Sequence, residues 1–280
     1  MEVIVNIQDV PVLERQHARV GRLLTQSLLS GSDGDPENFY LQLSSTHADF
    51  ESPRHRHNFD QVRVQIAGDA HYGRDGTMRE GTIGYFPEGV FYGPTTMTGP
   101  STTLLLQFGG VSGSGYISTR RFQAALEEMK RFGTFEDGIF KRSSAEGRKS
   151  QDAYEAVWEY VEGRPMKYPS GAYGTPVLMD PANFSWKDEP DGQRRKTLGT
   201  FAPRGLQLSI VSRMDRGEAS LSPRSIVFVL IGNGHAAGKS FAKHAVLKTG
   251  DTVETVRLEP GCELFEICIP PLALNQAAMA

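Results

Sequence analysis

Cysteine is scarce: the 280 residues include two, Cys262 and Cys268. They lie six positions apart in Cys-Glu-Leu-Phe-Glu-Ile-Cys, a segment of strand character. At roughly 3.3 Å per residue they are about 20 Å apart, too far for one disulfide. Two free thiols packed in a core are expected, and a reducing compartment with them. Long hydrophobic runs are missing as well. The longest aliphatic or aromatic run, Ile226 to Ile231, has six residues, against the roughly 18 that suggest a spanning helix, so no membrane segment is expected. The start, Met1-Glu-Val-Ile-Val-Asn-Ile-Gln-Asp, lacks the basic region and apolar core of a secretory signal, and the chain is read as cytoplasmic. Charge of one sign is absent too: a net charge of -3 with 22% charged residues excludes a polybasic nucleic-acid footprint. Hydrophobic residues at 39% describe an ordinary globular protein, and the length suits one large or two modest domains, two being the working count.

Glycine and proline, by contrast, are plentiful, at 30 and 16 residues. They cut the region from Asn38 to Phe108 into short strand-like pieces, of which Tyr40–Leu43, Gln61–Ile66, Thr82–Phe86 and Thr102–Phe108 are the clearest. Short strands at regular spacing favour an antiparallel sandwich or barrel. Gly109 to Gly115 reads as a flexible connector. After it the pattern turns helical: Ser118 or Thr119 can cap a helix carrying Phe122, Leu126, Met129 and Phe132, and a second helix carries Tyr154, Val157, Trp158 and Val161 before Gly163. The stretch from Arg164 to Trp186 reads as extended chain lying on other surfaces. Strands return after Thr200, at Leu206–Val211, Ser225–Ile231, Lys243–Leu247 and Cys262–Ile269. Three regions result: a β unit over 1–115, a helical and irregular insert over 116–196, and a second β unit over 197–280. Gln61–Gly68 and Ser225–Gly232 each run through a strand to glycine, with a further Gly turn at Gly81 and Gly250, so the two β units read as copies.

The chemistry concentrates in His55-Arg-His57-Asn-Phe-Asp-Gln61. Alternation along a strand sends His55 and His57 to one side, where two imidazoles can serve one metal ion. Gln61, Arg63 and Gln65 share that parity, while Val62, Val64 and Ile66 take the other. Such a polar load suits a face that lines a cavity. Arg63 is read as an anchor for an anionic or enolic ligand, with a salt bridge to Asp60 or an acid of the insert as its alternative. Gly232 to Ser240 mimics a phosphate-binding loop, but position 233 is Asn rather than glycine and no helix follows, so nucleotide binding is not expected.

At these residues the sequence resembles the cupin superfamily. His55-x-His57-x3-Gln61-x6-Gly68 keeps the spacing of the first cupin motif, and Gly81-x5-Pro87-x-Gly89-x2-Tyr92 keeps that of the second. Gln61 stands where the family has Glu, Tyr92 where it has His and Thr96 where it has Asn, and the leading Gly of the first motif is missing. The resemblance covers about 60 to 110 well and 200 to 270 weakly. It implies a mainly β fold: two double-stranded β-helix barrels, a bicupin, with the insert between them. It also implies a divalent metal, Fe(II) foremost with Mn, Ni or Zn as alternatives, held by His55, His57, Gln61 and Tyr92. Counting back from Gly232 puts Ala219, Leu221 and Ser225 at the places of His55, His57 and Gln61, so the C-terminal copy reads as a degenerate scaffold, with His235 and His244 structural or exposed.

Two imidazoles and an amide leave the charge of a divalent ion largely uncompensated. Tyr92 as phenolate, an inward Asp60 or Glu51, or an anionic substrate would supply the difference, and a metal-free pocket is the competing reading. The leading function is a metal-dependent cupin dioxygenase acting on a small oxygen-rich or anionic molecule, with Tyr92 and Arg63 as catalytic residues. An isomerase, cyclase or lyase using Tyr92 for proton transfer, and a small-molecule binding protein without turnover, are the alternatives. The expected partner is a small-molecule substrate, with neither nucleic acid nor membrane; self-association into a homo-oligomer is left open.

Overall fold

The computed structural model describes residues 1, 3–17, 21–48, 50–113, 115–144 and 147–272. Its contacts divide the chain into two compact units, one of Val12–Leu178 and one of Met1–Pro11 with Met179–Ala280.

In the first unit a seven-stranded antiparallel sheet runs, in spatial order, Val177–Met179, Ile83–Phe86, Asp60–Ala67, Ser101–Phe108, Phe39–Thr46, Gly21–Ser30 and Leu13–His17. A four-stranded sheet of Glu51–Ser52, Thr95–Met97, Ala70–His71 and Thr77–Met78 accompanies it. Phe86 of the large sheet packs with Ala70 and Met78 of the small one, together with Tyr72 and Tyr92, and this buried cluster closes the two sheets into a barrel. The second unit repeats the plan strand for strand. Its large sheet runs Val3–Val5, Val246–Lys248, Ser225–Ile231, Glu263–Cys268, Leu206–Arg213, Gln193–Phe201 and Lys187–Asp188, and its small sheet Gly217–Leu221, Glu254–Leu258, Asn233–Ala236 and Lys239–Ala242. Even an irregularity repeats: the ladder shifts between Ser27 and Leu29 in one unit and between Thr197 and Gly199 in the other. The chain is mainly β and holds two barrels of one design, as the sequence repeat implies.

Between the barrel strands of the first unit lie two helices, α1 (Thr119–Met129) and α2 (Ala153–Glu162). Ser118 caps α1 by accepting the Arg121 amide, and Gly163 ends α2 in the left-handed conformation. A small sheet of Gly133–Glu136, Ile139–Arg142 and Ser150–Asp152 joins them. Sequence patterning drew one insert over 116–196. The contacts instead group 116–178 with the N-terminal barrel, because Tyr154 and Trp158 of α2 bury themselves against Phe59 and Ile117. The segment resembling a phosphate loop is a hairpin, Asn233–Ala236 with Lys239–Ala242. Both cysteines are free thiols, Cys262 buried and Cys268 half-buried. Among the described residues no helix is long and apolar enough to cross a membrane.

Candidate functional site

His55 and His57 do not continue the strand that starts at Asp60; the chain bends at Asn58 and Phe59. The second motif holds them instead. His55 exchanges backbone hydrogen bonds with Tyr92, its amide donating at 3.1 Å and its carbonyl accepting at 2.9 Å, and the His57 carbonyl accepts the Gly89 amide at 2.8 Å. Gly89 has φ +76°, and a Cβ there would sit 2.3 Å from the Pro169 carbonyl oxygen, so this clamp requires glycine. The kept spacing of the two motifs therefore has a local cause. The two imidazole rings come out 5.0 Å apart at 84°, with the Tyr92 ring 4.5 Å from that of His55.

Hydrogen bonds fix the chemistry of this cluster. His55 Nδ1 donates to the Pro53 carbonyl at 2.6 Å, which leaves Nε2 as the acceptor for the Tyr92 hydroxyl at 2.9 Å. Arg63 lies alongside. Its Nε and Nη2 donate to Gln61 Oε1 at 3.0 and 2.5 Å, Nη2 also to the Tyr92 hydroxyl at 2.8 Å, and Nη1 to the Tyr72 hydroxyl at 2.9 Å. The guanidinium stacks on Phe86 at 4.2 Å. Burial by itself disfavours this cation, but the phenols of Tyr72 and Tyr92 more than offset it and hold the Arg63 pKa above its usual value. Among the described residues no carboxylate pairs with it. Asp60, offered as a partner by the sequence, accepts the Glu88 amide at 2.8 Å instead, and Glu88 accepts the amide and hydroxyl of Ser112 at 3.0 and 2.6 Å. These acids pin the connector that follows the barrel strand; Glu51 is exposed.

Arg63 also decides the role of Gln61. A guanidinium only donates, so it holds the amide oxygen and leaves the amide nitrogen for the chamber. That nitrogen is buried and makes no hydrogen bond. The motif places Gln61 as a metal ligand or a group just outside the ligands; an amide ligates through its oxygen, which Arg63 engages here, and what Gln61 offers the chamber is a donor. Gln65, on the same face, is spent on Ser101 and Thr103.

Two adjoining, partly open cavities lie in the N-terminal barrel. The polar one, about 110 Å³, is lined by His55, His57, Gln61, Arg63, Tyr72, Tyr92 and Thr46 among others. The other, about 140 Å³, is lined by Tyr40, Phe59, Leu105, Tyr116, Phe122 and Tyr154, with Arg15 and several amides. His57, Leu23, Ser44, Leu105 and Gln107 border both. Neither lining includes an Asp or Glu among the described residues. Motif spacing and strand parity point to His55, His57, Gln61, Arg63 and Tyr92, and all five meet in the polar cavity. Tyr72, which receives Arg63, and Tyr154, whose ring stands 5.2 Å from that of His57, carry no motif signal. The same is true of Asn58, which donates to the Gly115 carbonyl and accepts from Tyr154, tying the histidine segment to α2.

A divalent ion fits this cluster in part. Nitrogens about 2.1 Å from a shared ion place imidazole centroids roughly 5 Å apart, as found for His55 and His57. The hydrogen bond from His55 Nδ1 to a backbone carbonyl is the outer contact that orients a ligating imidazole. Gln61 and the absence of an acid do not fit: among the described residues no group of three or more His, Cys, Asp or Glu is placed to hold a metal.

In the C-terminal barrel the corresponding positions carry different side chains. Ala219 and Leu221, at the positions of His55 and His57, are buried with Val227, Val229, Phe241, Leu258 and Leu264 in one apolar core. Ser225 is buried at the position of Gln61.

The fold is that of the cupins, with two cupin barrels in one chain. No family model and no curated protein matches the chain, but solved structures do. It is similar to a candidate dioxygenase from Nostoc punctiforme with a TM-score of 0.63 and 10% identity over 96% of this chain and 82% of the other. It is similar to an oxalate decarboxylase of Bacillus subtilis (TM-score 0.55, 13% identity, 99% and 84% covered). A third is the Streptomyces albus HEPD, solved with Fe(II) and 2-hydroxyethylphosphonate (TM-score 0.54, 13% identity, 99% and 78% covered).

Proposed function

We propose that the N-terminal barrel is the active site of a metal-dependent enzyme acting on a small, oxygen-rich anionic molecule, with His55 and His57 as the protein ligands of a divalent ion. The observation that carries this reading is the paired imidazoles facing one chamber beside a guanidinium that has no acid partner among the described residues. An ion there would supply a Lewis acid and, as Fe(II), open coordination positions for an organic oxygen and O2, which is why a dioxygenase is the reaction we favour. Support also comes from the Fe(II) in the similar HEPD structure.

The chain's own groups then have separable tasks. Arg63 and the Gln61 amide nitrogen bind and orient the substrate's negative oxygens, and those oxygens bring the negative charge that the side chains of the chamber do not. Where His55 Nε2 ligates an ion, the Tyr92 hydroxyl is displaced from that nitrogen; still held by Arg63 Nη2 at 2.8 Å, the hydroxyl is then placed to give a proton to a substrate oxygen or take one from it. Tyr72 fixes the guanidinium. A second reading, an isomerase, cyclase or lyase without O2, draws on the intact Tyr92–His55 hydrogen bond and the engaged Gln61 oxygen. Metal analysis of protein purified without chelator, paired with O2 uptake on catechols and diketones, tests both. Near-stoichiometric metal with O2 uptake is expected; less than about a tenth of an equivalent contradicts the metal, and metal without O2 uptake favours the second reading.

A further inference from the structure

The second cavity is not needed to hold an ion or a small anion, yet it opens from the same lumen, with His57 on its border. We infer that it is a ring pocket, and that the substrate is an aryl compound. Its oxygenated, anionic head lies at Arg63 and Gln61, its six-membered ring lies against the wall of Phe59, Phe122 and Tyr154, and the ring carries a hydrogen-bond acceptor toward Arg15. The inference deepens the proposed function and rests on it for the location of the head group.

Three observations support it. The first is size: about 140 Å³ compares with the roughly 150 Å³ apolar cavity known to take up benzene. The second is the wall. Phe122 and Tyr154 are stacked at 5.6 Å and 18°, while Phe59 meets Tyr116 and Tyr154 edge-on at 5.4 and 5.8 Å. A planar ring entering such a wall finds faces and edges in the arrangements aromatic groups prefer. Burial keeps the Tyr116 phenol protonated, so the wall adds no negative charge to repel an anion. The third is the far side. Arg15 donates through Nη2 to Ser27 at 3.0 Å, and Ser27 contacts the Tyr40 hydroxyl at 2.5 Å, but the buried Arg15 Nε–H makes no hydrogen bond. A buried donor left unmade is costly, and an acceptor on the ring satisfies it. Tyr116, Ile117, Phe122, Gln123 and Tyr154 all come from 116–178, so the segment between the barrels builds the pocket that distinguishes an aryl substrate from a bare one.

The test is calorimetric titration of the full chain with pyruvate, phenylpyruvate and 4-hydroxyphenylpyruvate, as purified and again after chelation. Phenylpyruvate is expected to bind about 30-fold more tightly than pyruvate, the equivalent of about 2 kcal/mol from burying one ring, with or without metal. Gln42→Phe, which fills the ring pocket from the strand Phe39–Thr46, is expected to erase that advantage and leave pyruvate within about threefold. Arg15→Met is expected to remove the gain of the hydroxyl-bearing ring over the plain ring, about tenfold, without touching pyruvate. Equal affinity for pyruvate and phenylpyruvate in the wild type overturns the inference and leaves the proposed function standing. An aryl advantage that survives Gln42→Phe overturns it too, because the ring then binds elsewhere. Should pyruvate itself fail to bind in either state, the head-group site fails and both readings fall.

Discussion

The two barrels share one strand order and differ in what fills them. In the C-terminal barrel Val227 and Val229 of the strand Ser225–Ile231, with Leu221, Phe241 and Leu258, close the interior with apolar side chains that are 2% exposed or less. In the N-terminal barrel the corresponding strand turns Gln61 and Arg63 inward, and His55, His57 and Tyr92 complete a polar chamber. The hydrogen-bonded shell is indifferent to its filling: one strand order surrounds an apolar core in one copy and a polar chamber in the other. The polar filling has a cost: the Gln61 amide nitrogen and the Thr46 hydroxyl are buried without hydrogen bonds, each worth about 1–3 kcal/mol against folding.

The hardest way to break the comparison is to exchange the fillings. Val227 stands where the interval from Gly232 matches Arg63 to Gly68, and Val227→Arg places a cation in an apolar interior with no phenols to receive it. A loss of more than about 4 kcal/mol is expected by urea denaturation, enough to unfold that unit. A cavity cut into each lumen sharpens the contrast. Leu258→Ala, in the filled barrel, is expected to cost about 2–5 kcal/mol, and Leu105→Ala, beside existing cavities, under about 1.5 kcal/mol by the same measurement. Arg63→Met separates function from stability. Pyruvate affinity is expected to fall on the order of 30-fold while the unfolding midpoint changes little, since removing a buried cation offsets the hydrogen bonds lost with it. The smallest effect concerns the thiols, both in the C-terminal barrel. Burial pushes the Cys262 thiol up to about 11 and raises Cys268 as well. At pH 8 only about one Cys262 in a thousand is then thiolate, so iodoacetamide should label the half-buried Cys268 first and Cys262 only on unfolding.

Much of the site was legible in the sequence because its backbone is local. Motif spacing brought His55, His57, Gln61, Arg63 and Tyr92 together, and the clamp between His57 and Gly89 explains why that spacing is kept. Ala219 and Leu221 at the places of His55 and His57 marked the second copy as a degenerate scaffold. Side-chain direction was less legible. The Gln61 amide is turned by Arg63, two residues away, yet its direction depends on how Tyr72 and Tyr92 share the same guanidinium, which no pattern in the chain records. The aromatic pocket was hidden for a different reason. Tyr154 and Phe122 sit at helical core spacing, and 97 positions separate Tyr154 from the His57 ring it faces, a contact that only the folded insert creates.

Calorimetric titration of Mn(II) into the full chain with pyruvate present tests the central claim most directly, run beside His57→Ala. The proposed reading gives about one ion per chain for the wild type and less than about a tenth for His57→Ala, with the fold of the variant intact by circular dichroism. Equal uptake by both proteins, or none by the wild type with its anionic partner supplied, would contradict a metal held by the paired imidazoles.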